Sequence, residues 1–251
     1  MLVIYQLPAY YFTLLLFALG GLELSALSLL FGWLPATQAT ERFFQRLIHG
    51  HFKFFHWWCD LLHLVHVRYE GLERLPPSGV VIVANHLSLI DITCLLARIP
   101  EAICIFKPAI RRNPVLGAAA RRAGYLGGDG GHDLVRAAAA KVAAGDRLIV
   151  FPEGTRTPDG NLQAFKPGFV LIARRARAPV QVIRITTDSD VLTKGARIVR
   201  LPRFPASVVV SVGPLVATDT PATPAELSAA VEEWFRSGRD PATPAASPAL
   251  S

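Results

Sequence analysis

His86 and Asp91 stand five residues apart in Asn85-His86-Leu87-Ser88-Leu89-Ile90-Asp91. A histidine can take a proton at neutral pH, and a carboxylate on its other ring nitrogen fixes the tautomer and stabilises the charged ring. Such a pair activates a hydroxyl for attack on a carbonyl. The spacing imposes a condition. Five residues along an ideal helix turn the chain by about 500°, which leaves the two side chains about 140° apart. They meet only if His86 lies in a loop and Asp91 points back from the first turns of the next helix, with Asn85 or Ser88 available as its cap. The plainer alternative is a turn histidine beside an Asp that complements a helix dipole.

A second group lies about 60 residues on, in Phe151-Pro152-Glu153-Gly154-Thr155-Arg156-Thr157. Arg156 offers a fork of donors suited to phosphate, and Thr155 and backbone N–H groups can add to it. Gly154 lets the backbone approach a ligand closely. A surface pair between Glu153 and Arg156 is the competing reading.

Both groups follow short apolar runs, Val80–Ala84 and Leu148–Phe151, that read as buried strands. Further units alternate along the chain. Helices are expected near 88–98, 114–123, 134–144, 167–176 and 225–236. Strands are expected at 102–106, 180–185 and 207–212. Alternation of this kind predicts an α/β fold, a mixed sheet covered by helices. Residues 68–237 form the expected catalytic domain, and 238–251 a disordered tail.

Residues 1–67 differ from this body. From Leu7 to Leu34 the only charged residue is Glu23, and Tyr10–Leu34 is long enough to cross a bilayer, which takes about 20 residues. Gly20-Gly21 and Glu23 interrupt the run, so a tilted span, a re-entrant hairpin and a membrane-lying helix all fit. No Lys or Arg occurs in Met1–Tyr10, as a secretory signal would require. The stretch Glu41–Val67, rich in Phe, Trp and Leu at helical spacing, reads as an amphipathic interfacial helix. The whole of 1–67 is therefore expected to be a membrane-associated helical region. Arg42, Arg46 and Lys53 follow the apolar run, which by the positive-inside tendency places the catalytic body on the cytoplasmic side of the inner membrane.

Composition narrows the function. The 251 residues are 51% hydrophobic with a net charge of +7, and the mean hydropathy is +0.36. A basic chain with an apolar end favours an anionic membrane or a phosphorylated substrate over nucleic acid, for which no basic helix, zinc spacing or RNA-binding motif is present. Cys59, Cys94 and Cys104 are odd in number and lie among apolar neighbours, which reads as buried, reduced thiols. His49, His51, His56, His63 and His66 lack the spacing of a metal site, so no metal is expected.

Together the two motifs resemble the glycerolipid acyltransferase family of the 1-acyl-sn-glycerol-3-phosphate acyltransferase, PlsC-like, type. Asn85–Asp91 matches the family's first block, N-H-x-S-x-x-D, and Phe151–Arg156 matches its third, F-P-E-G-T-R. Phe106-Lys107 resembles its strand-end Lys. Pro179–Val182 is similar to its fourth block, and Val208–Pro214 to its closing strand. The likeness covers about residues 68–216. In the second block the family carries an Arg that helps to hold the acceptor's phosphate, and Gly130 takes that position here. A neighbouring cation among Lys107, Arg111, Arg112, Arg121 and Arg122 could stand in, or the acceptor could differ.

The resemblance implies O-acyl transfer from acyl-CoA or acyl-carrier protein, as co-substrate, to a lysophospholipid hydroxyl in phospholipid biosynthesis. The leading acceptor is 1-acylglycerol-3-phosphate. A lyso-amino-acid lipid acceptor and a non-catalytic lipid-binding protein are the alternatives. His86 and Asp91 would be catalytic. Glu153, Gly154, Thr155, Arg156 and Lys107 would bind substrate. Membrane lipids and the acyl donor are the expected partners, with no further cofactor. No motif speaks to oligomeric state.

Overall fold

The computed structural model describes residues 2–128, 131–157, 162–193 and 202–237. Gly130 and the 238–251 tail lie outside them.

The apolar N-terminus forms one continuous helix, α1 (Leu2–Leu30). Gly20 and Gly21 do not break it. They admit neighbours instead: a β-carbon on Gly20 would lie 2.1 Å from the His51 ring, and one on Gly21 would lie 2.3 Å from Val115 Cγ1. The chain then reverses into α2 (Gln38–Leu61), capped by Thr37, whose hydroxyl accepts from Thr40 N at 3.3 Å. The two helices run antiparallel. Thr13 meets Trp58, and Phe17 packs on Phe52 and Phe55.

Helix α2 ends earlier than expected. His63 takes a positive φ of 52°, and β1 (Val65–Glu70) begins, straddling the expected boundary at residues 67 and 68. The alternating strands and helices then follow. They are β2 (Val80–Ala84), α3 (Ile90–Leu96), β3 (Ala102–Phe106), α4 (Pro108–Arg111), α5 (Gly117–Arg122), β4 (Leu126–Gly127), α6 (His132–Ala143) and β5 (Arg147–Val150). The last are α7 (Gly168–Ala176), β6 (Val180–Thr187), β7 (Ala206–Val216) and α8 (Pro224–Ser237).

The strands form one seven-stranded sheet in the order β1-β7-β6-β2-β5-β3-β4. The β6–β7 pairing is antiparallel and every other pairing is parallel, so the sheet is mixed. Central β2 is buried on both faces, which explains its unbroken apolar run. Val80, Ile82 and Ala84 join the core shared with the N-terminal helices and α3. Val81 and Val83 join the core under α6, α7 and α8. Because β2, β5 and β3 are parallel neighbours, their C-terminal ends open on the same edge of the sheet, the usual place for a ligand in an α/β fold.

Candidate active site

The loop after β2 carries His86, and the first turn of α3 carries Asp91. Asn85 does not cap that helix. Its side chain extends the sheet, donating from Nδ2 to Ile185 O at 2.8 Å while Ile185 N donates to its Oδ1 at 2.7 Å. This tether fixes where β2 ends and where the loop leaves it. Ser88 does serve the helix start, since its hydroxyl accepts from Ile90 N at 3.2 Å.

The geometric condition set by the spacing is met. His86 Nδ1 donates to Asp91 Oδ2 at 3.0 Å. The same oxygen accepts from Leu87 N at 2.5 Å and Ser88 N at 2.8 Å, and Oδ1 accepts from Ser88 Oγ at 3.2 Å. Asp91 is 2% exposed. All four partners reach the carboxylate as donors, the ring nitrogen included when Nδ1 carries the proton. An ionised carboxylate only accepts, so the proton of the neutral imidazole sits on Nδ1 and the lone pair on Nε2. Nε2 has no protein partner among the described residues. The ring lies on Phe151, with centroids 4.1 Å apart and planes 18° apart, so one face is clamped as well.

The turn after β5 completes the site. Glu153 is 5% exposed, and its carboxylate is occupied by the protein. Oε1 accepts from His86 N at 2.8 Å, and Oε2 accepts from Gln163 N at 3.1 Å and from the Thr157 hydroxyl. Thr157 N donates in turn to His86 O at 2.8 Å. Glu153 is therefore a brace that sews the two strand exits together, a role beside the substrate contact expected of it. Gly154 has a φ of +69°, a conformation that suits glycine. Arg156 comes to the same edge as His86, but Nη1 donates to Leu192 O at 3.0 Å. Leu192 O also accepts from Leu89 N at 3.2 Å, so one carbonyl ties the guanidinium to the histidine loop. Thr155 lies in this turn, and Lys107 is exposed directly after β3 on the same edge.

Two features were missed in the sequence. Lys166 folds over Gly154, and Phe151, packed against the core, also stacks on the catalytic candidate. Among the cations that could stand in for the second-block Arg, Arg122 is committed elsewhere. It donates to Phe31 O at 3.0 Å and to Leu34 O at 3.2 Å, and its guanidinium lies over the Phe44 ring.

The cysteines are buried. Burial pushes the Cys59 and Cys104 thiols up to about 12 and the Cys94 thiol well above its ordinary value, so they are protonated at neutral pH and poor nucleophiles. Among the histidines, His49 meets Leu96 O, His56 meets Thr93 Oγ1, and His66 meets Asp60.

Residues 66–186 match the model of the Acyltransferase family. Over 134 residues the chain is 33% identical to the chloroplastic 1-acyl-sn-glycerol-3-phosphate acyltransferase BAT2 of Brassica napus, covering 51% of this chain and 39% of that protein. It is 32% identical over 142 residues to the lyso-ornithine lipid O-acyltransferase of Pseudomonas aeruginosa, covering 53% of this chain and 54% of that one. The chain thus spans well under two thirds of the length of these curated relatives. The crystal structure of the 1-acyl-sn-glycerophosphate acyltransferase PlsC from Thermotoga maritima superposes with a TM-score of 0.76 at 25% identity, over 95% of this chain and 96% of that one.

Proposed function

We propose that this chain is an acyltransferase of the PlsC-like glycerolipid type, as the match over residues 66–186 and the likeness to the Thermotoga structure support, and that it moves an acyl group from a thioester donor to the hydroxyl of a lysophospholipid. The observation that carries the reading is the 3.0 Å contact between His86 Nδ1 and the enclosed Asp91 carboxylate, which leaves Nε2 free as a base. Nε2 takes the acceptor's hydroxyl proton as that oxygen attacks the thioester carbonyl carbon. The C–O bond forms, the tetrahedral intermediate collapses with loss of the C–S bond, and the departing thiolate recovers the proton from the imidazolium. Asp91 steadies the imidazolium throughout. General-base assistance of this kind is worth about 10²–10⁴-fold. Transfer is direct, in keeping with thiols that burial holds protonated. The donor is acyl-CoA or acyl-carrier protein, and no other cofactor enters any step.

Arg156 and Lys107 face the acceptor's anionic head, with Gly154 and Thr155 offering backbone and hydroxyl donors. The preferred acceptor is 1-acylglycerol-3-phosphate, the acceptor class that the names of most of the matched relatives give. A second acceptor class, the lyso-amino-acid lipids, is supported by the likeness to the Pseudomonas enzyme and by Gly130 at the second-block position. A panel of acceptors in mixed vesicles, read by mass spectrometry of the product, decides between them. Phosphatidate as the main product supports the first class. Acylation of lyso-ornithine lipid at least tenfold faster than lysophosphatidate replaces it with the second.

The reaction takes place at a membrane surface. The side of α1 that faces the protein is mixed, with Gln6, Tyr10, Thr13, Ser25 and Ser28 buried and Leu14, Phe17 and Leu24 packed against the core. The outward side carries Leu7, Phe12, Leu15, Leu19, Leu22, Leu29 and Leu30, all exposed. A helix whose outward face is this apolar is not built to face water and suits one that meets lipid. Phe43, Phe54, Trp57 and Leu61 continue the exposed apolar surface on α2. Tyr5–Leu30 is long and apolar enough to cross a bilayer. Its contacts with α2 and with the turn before α5, where Ser25 Oγ donates to Val115 O at 2.9 Å, instead favour a helix laid against the body, half in lipid. We assign the body to the cytoplasmic side of the inner membrane, whose anionic leaflet suits the basic residues Arg42, Arg46 and Lys53 that follow α1.

A further inference from the structure

The nearest neighbour of Gly154's open side is Lys166. A β-carbon there would lie 3.2 Å from Lys166 Nζ, 3.6 Å from Cε and 4.0 Å from Cδ, so the outer half of the lysine lies across the turn. Its backbone is anchored on both sides. Lys166 N donates to Pro152 O at 3.1 Å, the Phe165 side chain is buried, and Phe165 N donates to the Glu232 carboxylate at 2.8 Å. The ammonium itself makes no hydrogen bond or ion pair among the described residues. The carboxylate in the turn beneath it is Glu153, and that group is taken by three internal donors. A cation is thus held by its stem over the turn that braces His86 and carries Arg156, with no anion supplied by the protein.

We propose that Lys166 is a second substrate-positioning cation of this site, binding a phosphate group alongside Arg156. The inference rests on the acyl-transfer reading and extends it. Lysine suits the task because its ammonium is a movable point charge, whereas Arg156 is pinned by Leu192 O. Two sources carry the same phosphate chemistry, the acceptor's head group and the phosphates of the CoA or carrier-protein donor.

The test uses the full chain in vesicles, as wild type, Lys166→Met and Lys166→Arg. In the acceptor arm, lysophosphatidate is compared with monoacylglycerol, which lacks the phosphate. In the donor arm, acyl-CoA is compared with acyl-N-acetylcysteamine, which lacks it too. A charge-assisted hydrogen bond contributes enough for a KM rise of about tenfold or more. Lys166→Met should show that rise, with kcat moved far less, only toward the partner whose phosphate it binds, and Lys166→Arg should recover most of it. Whichever arm responds names the source. Equal losses with phosphorylated and neutral partners, or no change in either arm, overturn the proposal. Amine acetylation of Lys166, followed by mass spectrometry, reads the same question without turnover. Lysophosphatidate or CoA should protect Lys166 where the neutral analogue does not, and absence of protection by both counts against it. A wild type inactive with every acceptor would sink the acyl-transfer reading, while the protection experiment would still decide the role of Lys166.

Discussion

Asp91 orders its surroundings through both oxygens, and this makes its replacement informative. In Asp91→Asn one oxygen becomes an NH2 group that faces backbone N–H donors. The expected outcome is a kcat loss of about 10²–10⁴-fold with a stability loss of about 1–3 kcal/mol, read by turnover and by urea unfolding. Unchanged turnover would remove Asp91 from the mechanism. The stack of His86 on Phe151 predicts a smaller effect. An aromatic pair is worth about 0.5–1.5 kcal/mol, so Phe151→Leu should lower kcat by roughly two- to tenfold with little change in KM. At this scale the sequence was legible where a motif specified the residue. The spacing of His86 and Asp91 stated its own geometric condition, and the loop-then-helix arrangement meets it. It was not legible where the answer depends on which partner arrives from elsewhere. The bracing role of Glu153 is such a case, since His86 N, Gln163 N and the Thr157 hydroxyl come to its carboxylate from three separate segments. Lys166 offered no signal until the chain folded it back over Gly154.

Among the elements, α2 joins the exposed apolar surface to the elements of the site. His56 on this helix donates from Nε2 to Thr93 Oγ1 at 3.0 Å, because the Thr93 hydroxyl is itself donated to Ile90 O. Its Nδ1 is buried without a partner, and burial lowers its pKa from 6.5 to about 4. The unfolded chain binds this proton near pH 6.5 and the folded one only near 4. Stability from the neutral ring is therefore complete above 6.5 and falls as pH drops through that window, by about 3 kcal/mol in all. His56→Gln keeps the donor and removes the titration. Its urea midpoint should decline less than that of the wild type between pH 7 and pH 4.5, and parallel declines would show that other groups dominate. Removing the α2 cap in Thr37→Ala should cost about 1 kcal/mol with kcat unaltered. The β2, β3 and β5 runs were readable because buried strands need unbroken apolar sequence, and β6 from its Val and Ile residues on either side of Gln181 and Arg184. Strand β1 was not recognised, although Val65-His66-Val67-Arg68 alternates with period two. The Phe and Trp spacing of α2 runs directly into it, and its partner β7 lies about 140 residues away, beyond any local signal.

For the whole molecule, the exposed apolar surface of α1 and α2 and the sheet edge that carries His86 belong to one packed unit. Helix α1 is continuous through Gly20-Gly21 because those glycines let α2 and the turn before α5 approach, a role that only the tertiary structure reveals. The outward stripe of α1 is the main lipid contact in this account. Leu15, Leu19 and Leu22 are exposed, so replacing all three with Ser should leave the fold intact by circular dichroism. Each buried leucine is worth about 1.5–3 kcal/mol, and flotation with anionic vesicles should drop at least tenfold. Undiminished flotation would place the lipid contact elsewhere. The measurement closest to the central claim is transfer of a labelled acyl group from acyl-CoA to lysophosphatidate in vesicles, by wild type and His86→Ala side by side. The account predicts phosphatidate from the wild type and a rate about 10²–10⁴-fold lower in the variant, with the same melting temperature. Equal rates in the two proteins would contradict it.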